Sequence, residues 1–315
     1  MITADDAVWP HVFVASGGLV PLPLLGICIV IATMLGTAKA IRSRVTRSTA
    51  KNSRGRLVSR IDPLNLPLEP DLDTGFKLYG QYSGATGNVE FISCHVSVLV
   101  KGHCPHPPHR HPEEELLIML AGEADLILPQ RASSGSGERR LRSGQFVYYP
   151  AHFPHTLRAV SEQPANYLMF KWRGRWGIQT GKLAFGHFDT AKFFPSRDNS
   201  TGFQSELLFE KPTQWLGALH AHVTTLAPAA GYEPHIDEHD GAIVVLGGEV
   251  ESLGRRLQPH GLLYFAAGEP HGMRNPGKEP AHYLVFEFHG RVPVWRKVTD
   301  LQSWKRKFKT ILNLE

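Results

Sequence analysis

The stretch "PHRHPEEELLIMLAGE", from Pro108 to Glu123, sets two histidines one residue apart before three consecutive carboxylates and an apolar run closed by Gly-Glu. His109, His111 and Glu115 fall at even separations, so in an extended segment their side chains emerge from one face. Imidazole nitrogen with carboxylate oxygen suits a divalent transition metal, and the donor types alone do not separate Fe, Mn, Zn, Ni and Cu. The bland alternative is that "HCPHPPHRHP" is a polar loop, stiffened by proline, that meets a buried strand. Glu114 has the opposite parity to Glu115 and belongs to the other face. His103, His106 and His152 read as loop or rim residues, and Cys104 as an idle thiol.

Such donors need a rigid frame, and past Pro70 the chain supplies one. "VEFISCHVSVLV", "EADLILP", "GQFVYYP", "ANYLMFKW", "LHAHVTTLAP", "GAIVVLGGEVESL", "GLLYFAAGE" and "HYLVFEF" are apolar or alternating runs of strand length, divided by Gly, Pro and Asn. The pattern is all-β, and it repeats. "PHRHPEEELLIMLAGE" aligns without gaps on "PHIDEHDGAIVVLGGE", which starts at Pro234, so the closing Gly-Glu coincides. Each copy is followed by a glycine, an apolar run and a histidine, in "GQFVYYPAHFPHTLRA" and "GLLYFAAGEPHGMRN", which places His155 and His271 in equivalent positions. A period this long marks a duplicated domain and not a solenoid repeat.

In these motifs the chain resembles the bicupins, members of the cupin superfamily with two barrels in tandem. The first cupin motif reads here as Gly102, His109, His111, Glu115 and Gly122, with one extra residue between Gly102 and His109. The second reads Gly144, Pro150 and His155, with His152 and Ala159 where the family has Gly and Asn. In the second copy Gly268, His271 and Asn275 fit, while Gly261 is displaced by one. The resemblance implies two double-stranded β-helix, or jelly-roll, barrels. It also implies a metal site of His109, His111, Glu115 and His155 in the first, with open positions for water or substrate. Glu113 precedes the position that the family motif uses.

The second copy keeps His235 and His271 but has Asp237 for the second histidine and Gly241 for the glutamate. Two rescues stand: Asp237 as a ligand, or His239, of the same parity, turned inward. His235, Asp237, His239 and His271 are therefore a candidate second site, expected to bind metal weakly, differently or not at all. Cupins with a complete site include dioxygenases, decarboxylases, isomerases, lyases and hydrolases, alongside non-catalytic sugar and storage proteins. The expectation carried forward is an oxygenase-like, metal-dependent oxidoreductase acting on a small oxygen-rich molecule. Its rival is a membrane-tethered binding or regulatory module. Tyr148, Tyr149, Arg158, Lys171 and Arg173 lie in adjoining strands, and parity alone does not place them in the site.

Of the 315 residues, 42% are hydrophobic and 20% charged, which is globular material sufficient for two compact domains. The net charge of +5 comes from two clusters, Lys39 to Arg60 and the C-terminus, so no nucleic-acid face is indicated. Three cysteines build no disulfide framework, although Cys94 and Cys104 are free to pair. Residues 7–38 contain no Asp, Glu, Lys or Arg, and "LVPLPLLGICIVIATMLGTA" is long enough to span a bilayer as one helix. Positive charge follows this run, which puts the barrels in the cytoplasm. The alternatives are a cleaved signal peptide or an organelle transit sequence, giving a secreted or organellar protein. Leu301, Trp304, Phe308 and Ile311 form one stripe of an amphipathic basic helix at the end. The expected order is anchor and basic flank (1–45), linker (46–74), first barrel (75–180), linker (181–202), second barrel (203–291) and C-terminal helix (292–315). A homodimer is a fair expectation for the family.

Overall fold

A computed structural model describes residues 56–129, 139–174, 183–194 and 202–290. The expected membrane helix, Cys28 and the C-terminal helix lie outside the described residues. Within them the chain is built of strands, with one short 3-10 turn at Thr190–Lys192.

In chain order, β1 (Arg60–Asp62) precedes the strands of the first barrel: β2 (Phe76–Gly84), β3 (Phe91–Leu99), β4 (Glu114–Ala121), β5 (Glu123–Ile127) and β6 (Arg140–Arg142). It continues through β7 (Gln145–Tyr149), β8 (Thr156–Ala159), β9 (Ala165–Arg173) and β10 (Gly186–Asp189). The second barrel runs from β11 (Phe203–Lys211), β12 (Ala218–Leu226), β13 (Gly231–Ile236) and β14 (Asp240–Gly247) to β15 (Val250–Ser252). It ends with β16 (Arg255–Leu257), β17 (Leu262–Phe265), β18 (Pro270–Arg274) and β19 (Ala281–His289). Each of the eight quoted runs supplies at least one strand.

Each barrel pairs a six-stranded sheet with a smaller one. The large sheets have matching orders, β10-β7-β4-β9-β3-β2 and β1-β17-β14-β19-β12-β11. The small sheets are β6-β5-β8 and β13-β18-β15-β16. The outermost strand of the second large sheet, β1, comes from ahead of the first barrel and lies antiparallel on β17, Ile61 opposite Leu263.

Alternation along the strands divides the apolar residues into three cores. Leu117, Met119, Val147, Tyr167 and Met169 fill the first barrel, and Ile243, Val245, Leu263, Phe265 and Tyr283 fill the second. The opposite faces of the two large sheets pack on each other through Phe146, Phe170, Trp172, Phe286 and Phe288, with Trp172 and Phe288 at 5.2 Å between ring centroids. This third core accounts for the continuous apolar runs: central strands are buried on both faces.

Polar contacts across this interface are reciprocal. Glu114, the first residue of β4, is fully buried and accepts hydrogen bonds from Thr213 Oγ1 (2.7 Å), the Gln214 amide (2.6 Å) and Trp172 Nε1 (2.9 Å). Burial pushes its carboxyl above the usual range, against those hydrogen bonds. Asp240 starts β14 in the same way and accepts from Thr86 Oγ1 (2.6 Å) and the Ala267 amide (3.1 Å). Each threonine also takes amide bonds from its own hairpin, Val89 to Thr86 and Leu216 to Thr213. The hairpins reach one step further, with Trp215 Nε1 donating to Pro112 O (2.6 Å) and Asn88 Nδ2 to Glu238 O (3.3 Å).

The Gly-Glu that closes both repeats turns a corner. Gly122 and Gly248 have φ of +72° and +70°, and a Cβ at Gly248 would stand 2.5 Å from Pro280 O. Only glycine fits that left-handed, crowded corner.

Thr213→Val and Thr86→Val should each lower stability by about 2 kcal/mol, because a buried carboxylate loses a donor. Urea unfolding of either variant checks this.

Candidate metal centre

The loop from Val100 to Glu113 is not a strand, so alternation does not position its histidines. Backbone bonds do. His109 and His155 exchange amide bonds (3.3 and 3.1 Å), and the His152 amide donates to His111 O (2.7 Å). With Trp215 on the Pro112 carbonyl, the loop is pinned from both barrels. Glu115 follows on β4, facing Tyr149 on one side and Lys171 on the other.

The four sequence-predicted donors come together. The His109, His111 and His155 rings lie 5.1 to 5.4 Å apart, and donor atoms of His111, Glu115 and His155 fall within 4.8 Å of one another. His111 Nε2 is 3.1 Å from Glu115 Oε1, yet neither ring nitrogen of His111 nor Nδ1 of His109 has a hydrogen-bond partner. His111 and His155 thus both turn a ring nitrogen to the Glu115 carboxylate, with the His109 ring beside them.

His155 sharpens this. Its Nδ1 is 2.7 Å from the Phe153 carbonyl, which only accepts, so Nδ1 carries the proton. The remaining nitrogen, Nε2, lies 2.7 Å from Glu115 Oε2. In the neutral ring two lone pairs would meet there, so the pair needs a second proton or a shared cation. A divalent transition metal fits this donor set. Tyr149 stacks on the His155 ring at 4.1 Å and fixes its plane.

Burial favours the neutral His109 imidazole, bringing its pKa down to about 4 with help from the neighbouring histidines. Burial alone would raise the Glu115 carboxyl, but His111, His155 and the Lys171 ammonium hold it well below the usual range. Lys171 Nζ is 2.8 Å from Glu115 Oε1. His95, on β3, lies near both charges, and burial brings its pKa to about 4. Strand parity alone would have placed His95 beside Leu99 on the inward face. Lys171 needed the β4–β9 register, which no local pattern gives.

The other residues fall outside the cluster. Glu114 faces the second barrel, and Glu113 lies 3.4 Å from His111 Nδ1, on the outer side of that ring. His106 packs edge-on against His109 (3.9 Å), while His103 and His152 are exposed. Tyr148 packs with Trp172 in the inter-barrel core, Arg158 is exposed, and Arg173 pairs with Glu90 at the rim. Cys94 and Cys104 are both free thiols.

In the second barrel His235, Asp237 and His271 also converge within 4.8 Å. Asp237 Oδ2 sits 3.5 Å from His235 Nε2 and 3.3 Å from His271 Nε2. Gly241 contributes nothing where Glu115 stands in the first barrel. His239 lines the same cavity but stands outside this trio, stacked on His289 at 3.6 Å.

Two tandem jelly-roll barrels with inward-facing histidine and carboxylate groups define a bicupin. The family model for the cupin domain matches residues 95–171 and again 222–287, one segment in each barrel. A dimethylsulfoniopropionate lyase of Ruegeria pomeroyi is 38% identical over 69 residues, 22% of this chain and 31% of the relative. The match thus spans under a third of that relative's length. A Cupin 2 conserved barrel domain protein from Leptotrichia buccalis superposes with a TM-score of 0.52 at 14% identity, over 74% of this chain and 97% of that one. Oxalate decarboxylase of Bacillus subtilis gives 0.51 at 14% identity, over 76% and 79%. These two structures share the fold.

In metal-free protein the depressed Glu115 carboxyl contributes stability that is fully present above the ordinary carboxylate pKa of about 4.3 and is lost as pH falls through the folded value. Glu115→Gln should therefore flatten the loss of stability between about pH 5 and pH 3. Urea midpoints across that range, measured with chelator present, check this.

Proposed function

We propose that the first barrel is the active site of a metal-dependent enzyme that cleaves a small carboxylate without an external oxidant, either as a lyase that removes a proton and expels a β-substituent or as a decarboxylase that releases CO2 and protonates the carbon left behind. One observation carries the reading: the His109, His111 and His155 rings gather 5.1 to 5.4 Å apart beside Glu115, with the His111 nitrogens unpartnered and the lone pairs of His155 and Glu115 opposed. These four residues would hold a divalent transition metal, which would supply Lewis acidity toward a substrate oxygen.

The chain's own groups supply the rest. Lys171 sets a cation at the site's edge, suited to a substrate carboxylate. His95 is a neutral imidazole at pH 7 and is able to accept a proton. The Tyr149 hydroxyl is buried without a partner, and burial holds it as a phenol, a donor to developing negative charge. The lyase of Ruegeria pomeroyi acts, by its name, on a propionate, and its partial match to this chain supports a carboxylate substrate.

The oxygenase-type reading differs in its co-reactant, so oxygen separates the two. Product formation from short carboxylates under argon, without oxygen uptake in air, is the expected result. Turnover that requires oxygen would overturn the oxidant-free reading, and metal binding without turnover would favour a binding module. His111→Ala and Glu115→Ala should lose the first-barrel metal and at least 100-fold in kcat/KM, equal to about 2.7 kcal/mol of transition-state stabilisation. His95→Gln should retain the metal and lose kcat. Elemental analysis and steady-state kinetics read both.

We further propose that the apolar run before Lys39 tethers the protein, with its barrels on the cytoplasmic side. Protease should digest the barrels in inside-out vesicles and spare them in sealed right-side-out cells. The opposite pattern refutes the orientation.

A further inference from the structure

The second barrel lacks Glu115's counterpart, and strand register shows what stands near the gap. In the first barrel Glu115 faces Lys171 across β4 and β9, and Lys171 faces Ser93 across β9 and β3. The same three positions in the second barrel are Gly241, Glu287 and His220. The carboxylate missing from β14 is thus found one strand over, on β19, directly opposite a histidine on β12. His222 lies two residues along β12 on the same face, in the position of His95.

Donor atoms of His220, His222 and Glu287 lie within 4.8 Å of one another. Their surroundings are those of supported ligands. His220 Nδ1 is 2.7 Å from Glu210 Oε2, and a carboxylate only accepts, so Nδ1 holds a proton and, in the neutral ring, Nε2 keeps its lone pair. That lone pair points at His222, whose Nδ1 is 2.9 Å away. Glu287 Oε2 accepts from His289 Nε2 at 2.8 Å, which fixes the carboxylate plane. Because Gly241 has no side chain, the region opens on a cavity of about 390 Å³ lined by His222, Gly241 and Glu287, with His235, Asp237 and His271 on its wall. Two imidazoles and one carboxylate leave coordination positions free toward that space.

We propose that His220, His222 and Glu287 form a metal site of the second barrel, taking a divalent transition metal such as Zn(II), with its carboxylate supplied by β19 in place of β14. The proposal does not rest on the chemistry assigned to the first barrel. The competing arrangement is a closed histidine relay, in which His222 Nδ1 donates to His220 Nε2 and no ion is held.

The test uses the full-length protein, stripped with chelator and re-equilibrated with Zn(II) alone. Zinc per chain is read by elemental analysis after gel filtration. Glu287→Gln and His220→Ala should each lose one zinc per chain relative to wild type. In a His111→Ala/Glu115→Gln background, which removes first-barrel donors, one zinc should remain and should disappear when Glu287→Gln is added. Unchanged zinc in the Glu287→Gln and His220→Ala variants overturns the proposal, whatever the first barrel does. A second measurement needs no variant: saturating Zn(II) should slow diethyl pyrocarbonate modification of His220 and His222 at least 5-fold in wild type. Equal rates with and without Zn(II) favour the relay and overturn the site.

Discussion

A buried carboxylate begins β4 and another begins β14, and each is held by a threonine in the opposite barrel's hairpin. A carboxylate with no donors in that inter-barrel core would cost several kcal/mol, so the start of each strand depends on the hydrogen bonds gathered there, the threonine's among them. The docking of the barrels and the starting points of their motif strands are therefore one constraint. The Trp215 bond to Pro112 extends it into the loop that carries His109 and His111. The first barrel's donor loop is shaped in part by the second barrel.

The alternation of a strand then makes the interior separable from the interface. Glu114 and Glu115 are neighbours with opposite orientations, one serving the interface and the other the donor cluster. In the second copy Asp240 keeps the interface role while Gly241 vacates the interior. The strand orders and interface contacts accordingly match between the barrels, and the chemistry they enclose does not. Glu115 faces a lysine across the sheet, whereas Gly241 faces Glu287, so charge as well as donor identity differs between the two interiors.

Much of this was legible in the sequence, because strand alternation and motif spacing are local. The eight apolar runs, the repeat and the opposed parities of Glu114 and Glu115 follow from short stretches, whereas the grouping of His109, His111, Glu115 and His155 was what the family resemblance implied. The path differed in one respect: His109 and His111 sit on a pinned loop, not on an extended strand. What stayed hidden depends on register between strands far apart in the chain. Lys171 against Glu115, Glu287 against His220, and the reach of Thr213 and Thr86 across the interface have no local signature. "LHAHVTTLAP" did hold a second His-x-His pattern, but reading it as a strand alone left those histidines without a role. Asp237 and His271 do meet, while His239 turns to His289, a choice that parity could not make.

The first strand, β1, carries a topological consequence. Its residues precede the first barrel yet complete the sheet of the second, through pairs such as Ile61 with Leu263. The chain thus enters the second barrel, leaves to build the first, and returns: the first barrel is an insertion within the second. On a ribosome the inserted barrel emerges whole, whereas its host waits for an edge strand and a sheet separated by about 200 residues, a closure whose entropy cost grows only logarithmically with length. A cut between residues 194 and 202 therefore does not yield two halves of equal standing, because the C-terminal piece leaves one of its own strands behind.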